Sequence, residues 1–494
     1  MAASWRRRRV LRSIGAGALG VGVVGRASAS DVPVPQAESN DTGTWPQFRA
    51  DPANSGHVDG GGPTATASTA WTSTSDPVPT TSPGTETGTS TATSGGRGGV
   101  FSSPAVASGT VYVGSNDATL YALDATTGEE RWGFETGDSV ISSPAVADGS
   151  GQSEGGTVYV GSQDATLYAA DADSGEEEWA FETDGAVFSS PTLSDGTLYV
   201  GSQAGSTYAV DADSGEEEWR INTGTETVST PAVHDGAVYV GYRDGDAGAL
   251  RAVDAGDGSE RWSLGTNGPV SASPAVAGGV VYFGDLVGVV YALEAETGDG
   301  LWARPLRDVV FSSAAVDGDN VYVGAHDGNL WAFDRENGDA RWSYGTGDEV
   351  LSSPAVAGDT AYVGSRTTRL YAVATGDGSE RWSVSTGGDV LSSPAVTGRA
   401  VYAGSADGSL YAMSDGPLTT GATAEPETAS DGGPGFGVLG GLSAVGLGAW
   451  HHLRGSTTGA RADAGPARDA QSDADPDADT PASAERDTDA DPRR

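Results

Sequence analysis

Four arginines are the residues whose chemistry best suits ligand binding. They lie where the chain departs from its own repeating pattern, and they would be exposed cations in a protein of formal net charge −41. Arginine presents a planar fork of donors that pairs with carboxylate or phosphate oxygens in a bidentate manner. We therefore predict a site for a small anionic ligand or an acidic partner segment; the alternative is local ion pairing with the abundant Asp and Glu. The four candidates are Arg243, Arg307, Arg366 and Arg369.

No comparable set of residues suggests catalysis or metal binding. The chain has no Cys, and His57, His234 and His326 are isolated from one another in the sequence. Two Asp-Ala-Asp-Ser-Gly-Glu strings begin at Asp171 and Asp211, but they lack the ligand pattern of a calcium loop of about 12 residues. We interpret both strings as turns, and we predict no catalytic residue, no metal site and no cofactor.

Composition restricts the partners of the chain. All 27 basic residues are arginine, and they face 68 Asp and Glu. Such an acidic surface repels phosphate backbones, which argues against nucleic-acid binding. A highly acidic chain without Lys resembles the proteins of extreme halophiles, so we expect most carboxylates to be solvated. Self-repulsion predicts lower stability at low ionic strength, and an unchanged melting curve between low and molar salt would contradict this.

A unit of about 40 residues recurs eight times, which is the signature of an array of repeats. The typical unit contains Ser-Ser-Pro-Ala-Val, Val-Tyr-Val-Gly, Leu-Tyr-Ala-Leu and a Trp-centred segment, and these short apolar runs predict four strands, A to D. The connections are too short for helices, so the strands are antiparallel neighbours. The proline slots are Pro104, Pro144, Pro191, Pro231, Pro274, Ala314, Pro354 and Pro394. The repeat tryptophans are Trp132, Trp179, Trp219, Trp262, Trp302, Trp342 and Trp382.

The layout of one unit predicts a radial arrangement. Proline cannot donate to a ladder, so strand A is placed innermost, with two small serines at the crowded axis. We expect the Trp to pack between neighbouring units, and the Asp that ends strand C to bond local amides before a Gly of positive φ. The eighth unit lacks its Trp strand, and residues 67–71, which include Trp71, supply a candidate from the N-terminus.

The predicted fold is all-β: an eight-bladed β-propeller of four-stranded antiparallel blades, closed by an N-terminal strand, with disordered tails. The propeller spans residues 67–413 and includes a flexible insertion at 76–99. In this layout the D-to-A and B-to-C connections share one face, and the four candidate arginines would lie there. We expect a monomer.

The repeat resembles the pyrroloquinoline-quinone (PQQ) type of propeller repeat. The match is closest over residues 122–132, ALDATTGEERW, and residues 45–52 resemble a lead-in found before such repeats. The resemblance implies one of two classes: quinoprotein dehydrogenases, or cofactor-free scaffolds such as an outer-membrane assembly lipoprotein. The dehydrogenases carry a vicinal Cys pair, a calcium site, a catalytic Asp and long loop insertions. This chain has no Cys and short loops. We therefore expect PQQ and calcium as cofactors only if the chain is a quinoprotein oxidoreductase, which is the alternative interpretation.

Both ends of the chain resemble address signals. Residues 1–29 resemble a twin-arginine (Tat) signal peptide, and 30–66 form an N-terminal lead-in. Residues 414–433 are interpreted as a Ser/Thr/Pro-rich stalk, 434–454 resemble a C-terminal sorting and membrane-anchor segment, and 455–494 form an acidic tail. We therefore predict an exported, surface-retained propeller that binds or scaffolds other molecules. The alternative is a PQQ-dependent oxidoreductase with an atypical site.

Overall fold

The computed structural model describes residues 44–64, 66–75, 98–147, 156–222, 226–227 and 229–418. The predicted signal peptide, most of the 76–99 insertion, residues 419–433 of the stalk, the anchor segment and the acidic tail lie outside these ranges. Among the described residues, no helix is long and apolar enough to cross a membrane.

The regular structure in this part of the chain is β-strand. Two short strands come first, β1 (His57–Val58) and β2 (Ser68–Thr74). The blades follow in chain order. Blades 1 to 4 contain β3 (Ala105–Ala107), β4 (Thr110–Gly114), β5 (Thr119–Asp124), β6 (Glu130–Glu135); β7 (Ala145–Ala147), β8 (Thr157–Gly161), β9 (Thr166–Asp171), β10 (Glu177–Glu182); β11 (Thr192–Ser194), β12 (Thr197–Gly201), β13 (Ser206–Asp211), β14 (Glu217–Asn222); β15 (Ala232–His234), β16 (Ala237–Asp244), β17 (Ala247–Asp254), β18 (Glu260–Thr266). Blades 5 to 8 contain β19 (Ala275–Ala277), β20 (Val280–Gly284), β21 (Val289–Glu294), β22 (Gly300–Pro305); β23 (Ala315–Val316), β24 (Asn320–Gly324), β25 (Asn329–Asp334), β26 (Ala340–Gly345); β27 (Ala355–Ala357), β28 (Thr360–Ser365), β29 (Arg369–Ala374), β30 (Glu380–Ser385); β31 (Ala395–Val396), β32 (Ala400–Gly404), β33 (Ser409–Ser414).

Strands A to D of blades 1 to 7 and strands A to C of blade 8 are antiparallel neighbours in sequence order, which confirms the predicted eight-bladed propeller. The predicted closure is also confirmed, because β2 pairs with β33 as the outer strand of blade 8. That pairing joins the two ends of the ring and covers an edge that would otherwise be open. One addition was not predicted: β1 runs parallel to β27, on the inner side of blade 7.

The repeat tryptophans pack between neighbouring blades, as predicted. In blade 1, Trp132 donates from Nε1 to the carbonyl of Ala172 in blade 2 at 3.0 Å. The same ring lies over Gly175, where an added Cβ would approach it to 2.7 Å. The arrangement recurs around the ring, and Trp71 of the closing strand donates to Ala125 of blade 1 at 3.1 Å. Trp71 thus repeats the contact that the tryptophans of blades 1 to 6 make, whereas Trp382 of blade 7 donates to the carbonyl of Pro63 at 2.8 Å.

The acidic strings take the ordinary turn between strands C and D. The Asp171 carboxylate accepts the amide and the hydroxyl of Ser174, both at 2.7 Å, and Gly175 follows with a φ of 73°. Asp211 makes the same two contacts with Ser214. These bonds are local turn chemistry, as the sequence predicted.

Blade 4 is the most irregular blade. The three-residue insertion extends β16 and β17 into a longer hairpin that turns at Gly245. Arg251 takes the place of the strand C aromatic, lies 5.1 Å from the centroid of the Tyr242 ring and pairs with Glu260 at 3.2 Å. The extended hairpin raises one wall of the propeller face on which the D-to-A and B-to-C connections lie.

Candidate functional site

The lead-in segment, residues 45–58, follows the inner edges of the blades. A strand A at the axis has an unpaired side, and the lead-in supplies acceptors to seven of these strands in turn. The inner amides of blades 1 to 7 bond to Trp45 O, Pro46 O, Gln47 Oε1, Pro52 O, Ala53 O, Ser55 O and Gly56 O, at 2.6–3.0 Å. The lead-in, for which the sequence predicted no structural role, thus accepts hydrogen bonds from strand A amides that would otherwise have no partner at the axis.

Two side chains of the lead-in reach further along the axis. Arg49, which is 1% exposed, donates to the carbonyls of Ala314 and Pro354, and Asn54 donates to those of Pro231 and Pro274. Burial lowers the pKa of Arg49 to about 9, although the nearby Asp51 carboxylate acts in the opposite direction. Burial also raises the pKa of Asp51, against hydrogen bonds from Ser55. These buried polar contacts fill the axis at this level.

Above the lead-in, a hydroxyl ring encircles the axis. Each member donates its amide to the hydroxyl oxygen of the equivalent residue in the next blade, at 2.9–3.1 Å, and the eighth returns to the first. All eight residues are buried. Small hydroxyl residues are therefore required here, as predicted for the crowded axis, and they also carry the contact between blades. The hydroxyl ring comprises Ser103, Ser143, Ser190, Thr230, Ser273, Ser313, Ser353 and Ser393.

The hydroxyl ring opens into a cavity of about 420 Å³ on the face of the D-to-A and B-to-C connections. Its floor includes Phe48 of the lead-in, so the axis forms a funnel that is blind at the lead-in. Its mouth is apolar, because most blades place a large hydrophobic residue two positions before the ring member. This apolar collar comprises Phe101, Ile141, Phe188, Phe311, Leu351 and Leu391.

Sequence analysis did not identify the collar or the floor. The collar has a periodic signal, because an apolar residue precedes Ser-Ser-Pro in most units, but that pattern does not distinguish a side chain in the core from one at the axis. Phe311 is 43% exposed, which makes it one of three large hydrophobic side chains that are exposed in the described part of the chain. Leu286, on the B-to-C connection of blade 5, also lines the cavity.

The four predicted arginines occupy the same side of the ring but do not form one cluster. Arg243 lines the cavity and pairs with Glu226 at 3.3 Å. Arg366 pairs with Glu349 at 2.9 Å and with Asp389 at 3.6 Å, and Arg369 donates to the Ser383 hydroxyl at 2.7 Å.

Arg307 is exposed on the connection into blade 6. No hydrogen bond or ion pair within the described ranges joins any two of the four. Their role in ligand binding remains a prediction, with Arg243 the one member on the cavity wall.

The donors that line the cavity differ from those that a quinone and calcium need. PQQ carries three carboxylates, whereas the lining offers one guanidinium, Arg243, which Glu226 already neutralises. Calcium binds about six to eight oxygen ligands, and several of these are usually carboxylate oxygens. No group of three or more His, Cys, Asp or Glu that could hold a metal occurs in the ranges that the structure describes. The residues of the cavity therefore do not fit this pair of cofactors.

Comparison with known families identifies the repeat. The family described as "Outer membrane protein assembly factor BamB" matches residues 149–264, 246–356 and 345–473. A second profile, "Glucose/ethanol/alcohol dehydrogenase, beta-propeller domain", matches residues 64–189. The chain belongs to the PQQ-like, BamB-type family of β-propeller repeat proteins. The comparison with curated protein sequences returns no match.

Solved structures share the fold at low sequence identity. BamB from Moraxella catarrhalis is 19% identical with a TM-score of 0.55, and the alignment covers 63% of this chain and 95% of that one. Quinohemoprotein alcohol dehydrogenase from Comamonas testosteroni is 17% identical with a TM-score of 0.59, covering 76% and 81%. The computationally designed Ika8 protein is 18% identical with a TM-score of 0.57, covering 65% and 97%. At these identities the likeness concerns the fold alone.

Proposed function

We propose that this chain is a non-catalytic binding module, a propeller whose blind funnel recognises a partner or ligand. The observation that carries the proposal is the cavity itself: an apolar collar over buried hydroxyl donors, closed below by the chain's own lead-in. Concave sites with apolar walls and a few polar groups are the usual form of binding sites. The cavity offers shape, hydrophobic contact and hydrogen-bond donors, and these are sufficient for recognition.

The alternative is a PQQ-dependent oxidoreductase with an atypical site. It is favoured by the match of residues 64–189 to a dehydrogenase propeller and by the fold shared with an alcohol dehydrogenase. The donor set of the cavity argues against it, because Arg243 is paired with Glu226 and the mouth is apolar. We therefore place recognition first and quinone chemistry second.

Export and retention at the cell surface are part of the same proposal. They rest on the Tat-like residues 1–29 and the sorting-like residues 434–454, which lie outside the described ranges. In that setting the propeller would act as a surface scaffold, and its acidic exterior would keep it hydrated in salt.

Photo-crosslinking from the funnel mouth tests the proposal. A photoreactive phenylalanine analogue replaces Phe311 in the full-length protein in its native cells, and a second variant carries it at Leu301. Leu301 lies on the outer strand of blade 5 and is 50% exposed, against 43% for Phe311, so it is a matched control. We expect a discrete adduct from position 311 alone. Equal labelling from both positions, or none from either, would argue against a recognition site at the funnel.

A further inference from the structure

We infer that the funnel accepts a turn of a partner polypeptide that presents one large apolar side chain and has basic flanking residues. This inference rests on the proposed function and specifies the chemistry of the partner. The first observation is the apolar mouth. In a chain of net charge −41, the exposed Phe311 and the cavity-lining Leu286 belong, with the rest of the apolar collar, to a hydrophobic patch at the mouth of the funnel. Such patches rimmed by polar residues mark protein contact sites, and buried apolar anchors dominate their binding energy.

The second observation is the set of donors below the collar. Each oxygen of the hydroxyl ring accepts an amide hydrogen from the neighbouring blade, as between Ser273 and Ser313 at 3.1 Å. Among the described hydrogen bonds, no member of the hydroxyl ring donates its own proton to a protein acceptor. An occupant of the funnel therefore needs several hydrogen-bond acceptors, and the carbonyl groups of a tight turn supply them at close spacing.

The third observation is that the axis already holds a polypeptide by the same chemistry. The lead-in fills the far side of the hydroxyl ring, and its carbonyl oxygens, such as those of Pro46 and Ala53, accept hydrogens from the blades at 2.8 Å. Its Phe48 side chain points to the cavity as the floor. A second peptide that enters from the open side would meet donors on the wall and an aromatic ring beneath.

The charge around the mouth selects the flanks of that peptide. Asp138, Asp308 and Asp348 lie exposed on D-to-A connections, and the side-chain carboxylate of each accepts only the amide of the following residue among the described contacts. Arg366 pairs with Glu349 and Asp389 of the same face, and its one positive charge offsets only one of these two carboxylates. Arg307, next to Asp308, offsets one more negative charge. The remaining negative charge favours Lys or Arg on either side of the apolar tip, and this preference weakens as salt screens it.

A displayed library of cyclic heptapeptides, selected on the intact protein, tests the inference. We expect enrichment of sequences with one large apolar residue between basic residues. Their affinity should fall about tenfold or more in Phe311→Asp, which is a typical loss for an apolar anchor. Leu286→Asp, at another residue of the cavity lining, is the second funnel variant. Leu301→Asp is the matched control that should leave affinity unchanged, and melting curves verify that each variant is folded.

Three outcomes would overturn the inference: no enriched family, peptides that bind Phe311→Asp as well as the parent, or enrichment of acidic flanks. A separate titration with PQQ and calcium distinguishes this failure from failure of the proposed function. Saturable quinone binding with reduction of a dye acceptor would overturn the proposed function itself, whereas loss of the peptide result alone leaves recognition of another ligand class.

Discussion

The amide of Ser393 in blade 8 donates to the hydroxyl oxygen of Ser103 in blade 1 at 2.9 Å. This bond joins residues that lie 290 positions apart and completes the hydroxyl ring. The outer rim of the same junction is closed by β2, and the axis below it is filled by the lead-in. The N-terminal part of the chain therefore closes the propeller twice, with β2 at the outer rim and with the lead-in at the axis. The lead-in also forms the floor of the funnel.

Removal of one hydroxyl from the ring should destabilise the fold. Ser313 is 3% exposed and accepts the Ser273 amide, so Ser313→Ala leaves that amide buried without a partner. We expect a loss of about 1–3 kcal/mol in the free energy of unfolding, measured by denaturant titration in molar KCl. Ser313→Thr is the control and should retain most of the stability, because Thr230 occupies the equivalent position in blade 4. An equal loss in both variants would show that volume, not the hydroxyl, is required.

The closing strand should be essential for cooperative folding. Trp71→Ala removes the indole that packs on Gly128 and donates to Ala125, and it should cost about 3–5 kcal/mol. Thr69→Ala, an exposed change in the same strand, is the control and should be nearly neutral. Deletion of residues 67–75 should lower the unfolding midpoint further. A ring that melts as before without these residues would show that β2 does not close it.

The lead-in should behave as part of the core. Gly56 has a φ of 65°, and an added Cβ would collide with the guanidinium of the buried Arg49. Gly56→Ala should therefore cost about 1–2 kcal/mol from the left-handed backbone alone, and more from the clash. Combined with Arg49→Ala, the total loss should be smaller than the sum of the two single losses by at least about 0.5 kcal/mol. Strictly additive losses in this double-mutant cycle would show that Gly56 and Arg49 do not interact energetically.

Acid should weaken the fold through carboxylates that accept hydrogen bonds from arginine, one before a C-to-D turn and one in an A-to-B turn. Arg341 donates to Asp334 and lowers the pKa of that carboxyl, and Arg381 does the same for Asp359. A lowered folded-state pKa contributes stability above the unfolded value of about 3.9, and this contribution is lost as pH falls through the folded-state pKa. In molar KCl we expect the melting temperature to drop below about pH 4.

Two variants check the sign of this effect. The deficit of Asp334→Asn relative to the parent should narrow as the pH falls, because the parent loses what the variant already lacks. Asp285 differs, since burial raises its pKa and the protonated form is favoured in the folded state. The stability of the parent relative to Asp285→Asn should therefore increase as the pH falls. The same trend in both variants would contradict the assignment of the two carboxylates.

The blade architecture could be predicted because every unit repeats the same local code. Pro104 ahead of strand A, Trp132 in strand D and Asp124 before its turn each have one physical role, and their recurrence in most units makes those roles recognisable. The closing strand followed from the missing eighth Trp, for which Trp71 was the available substitute. These features are either local in the sequence or, like Trp71, supply an element that one repeat visibly lacks.

The site was less predictable because its contacts are not periodic or not local. The lead-in binds the blades through backbone carbonyls, which leave no side-chain signature in the sequence. The arginines were noticed, but Arg243 and Arg366 each pair with a Glu 17 residues earlier, since the D-to-A and B-to-C connections of one blade adjoin. Spacing alone did not reveal that neighbourhood, so a predicted anion site contains residues that are already paired.

A calorimetric titration of the full-length protein with PQQ and calcium, in molar KCl, tests most directly whether the funnel serves recognition without quinone chemistry. The account predicts no saturable heat, no rise in melting temperature and no reduction of a dye acceptor with alcohols or sugars. Saturable quinone binding that is lost in Phe311→Asp and retained in Leu301→Asp would place the cofactor in the funnel and contradict the account.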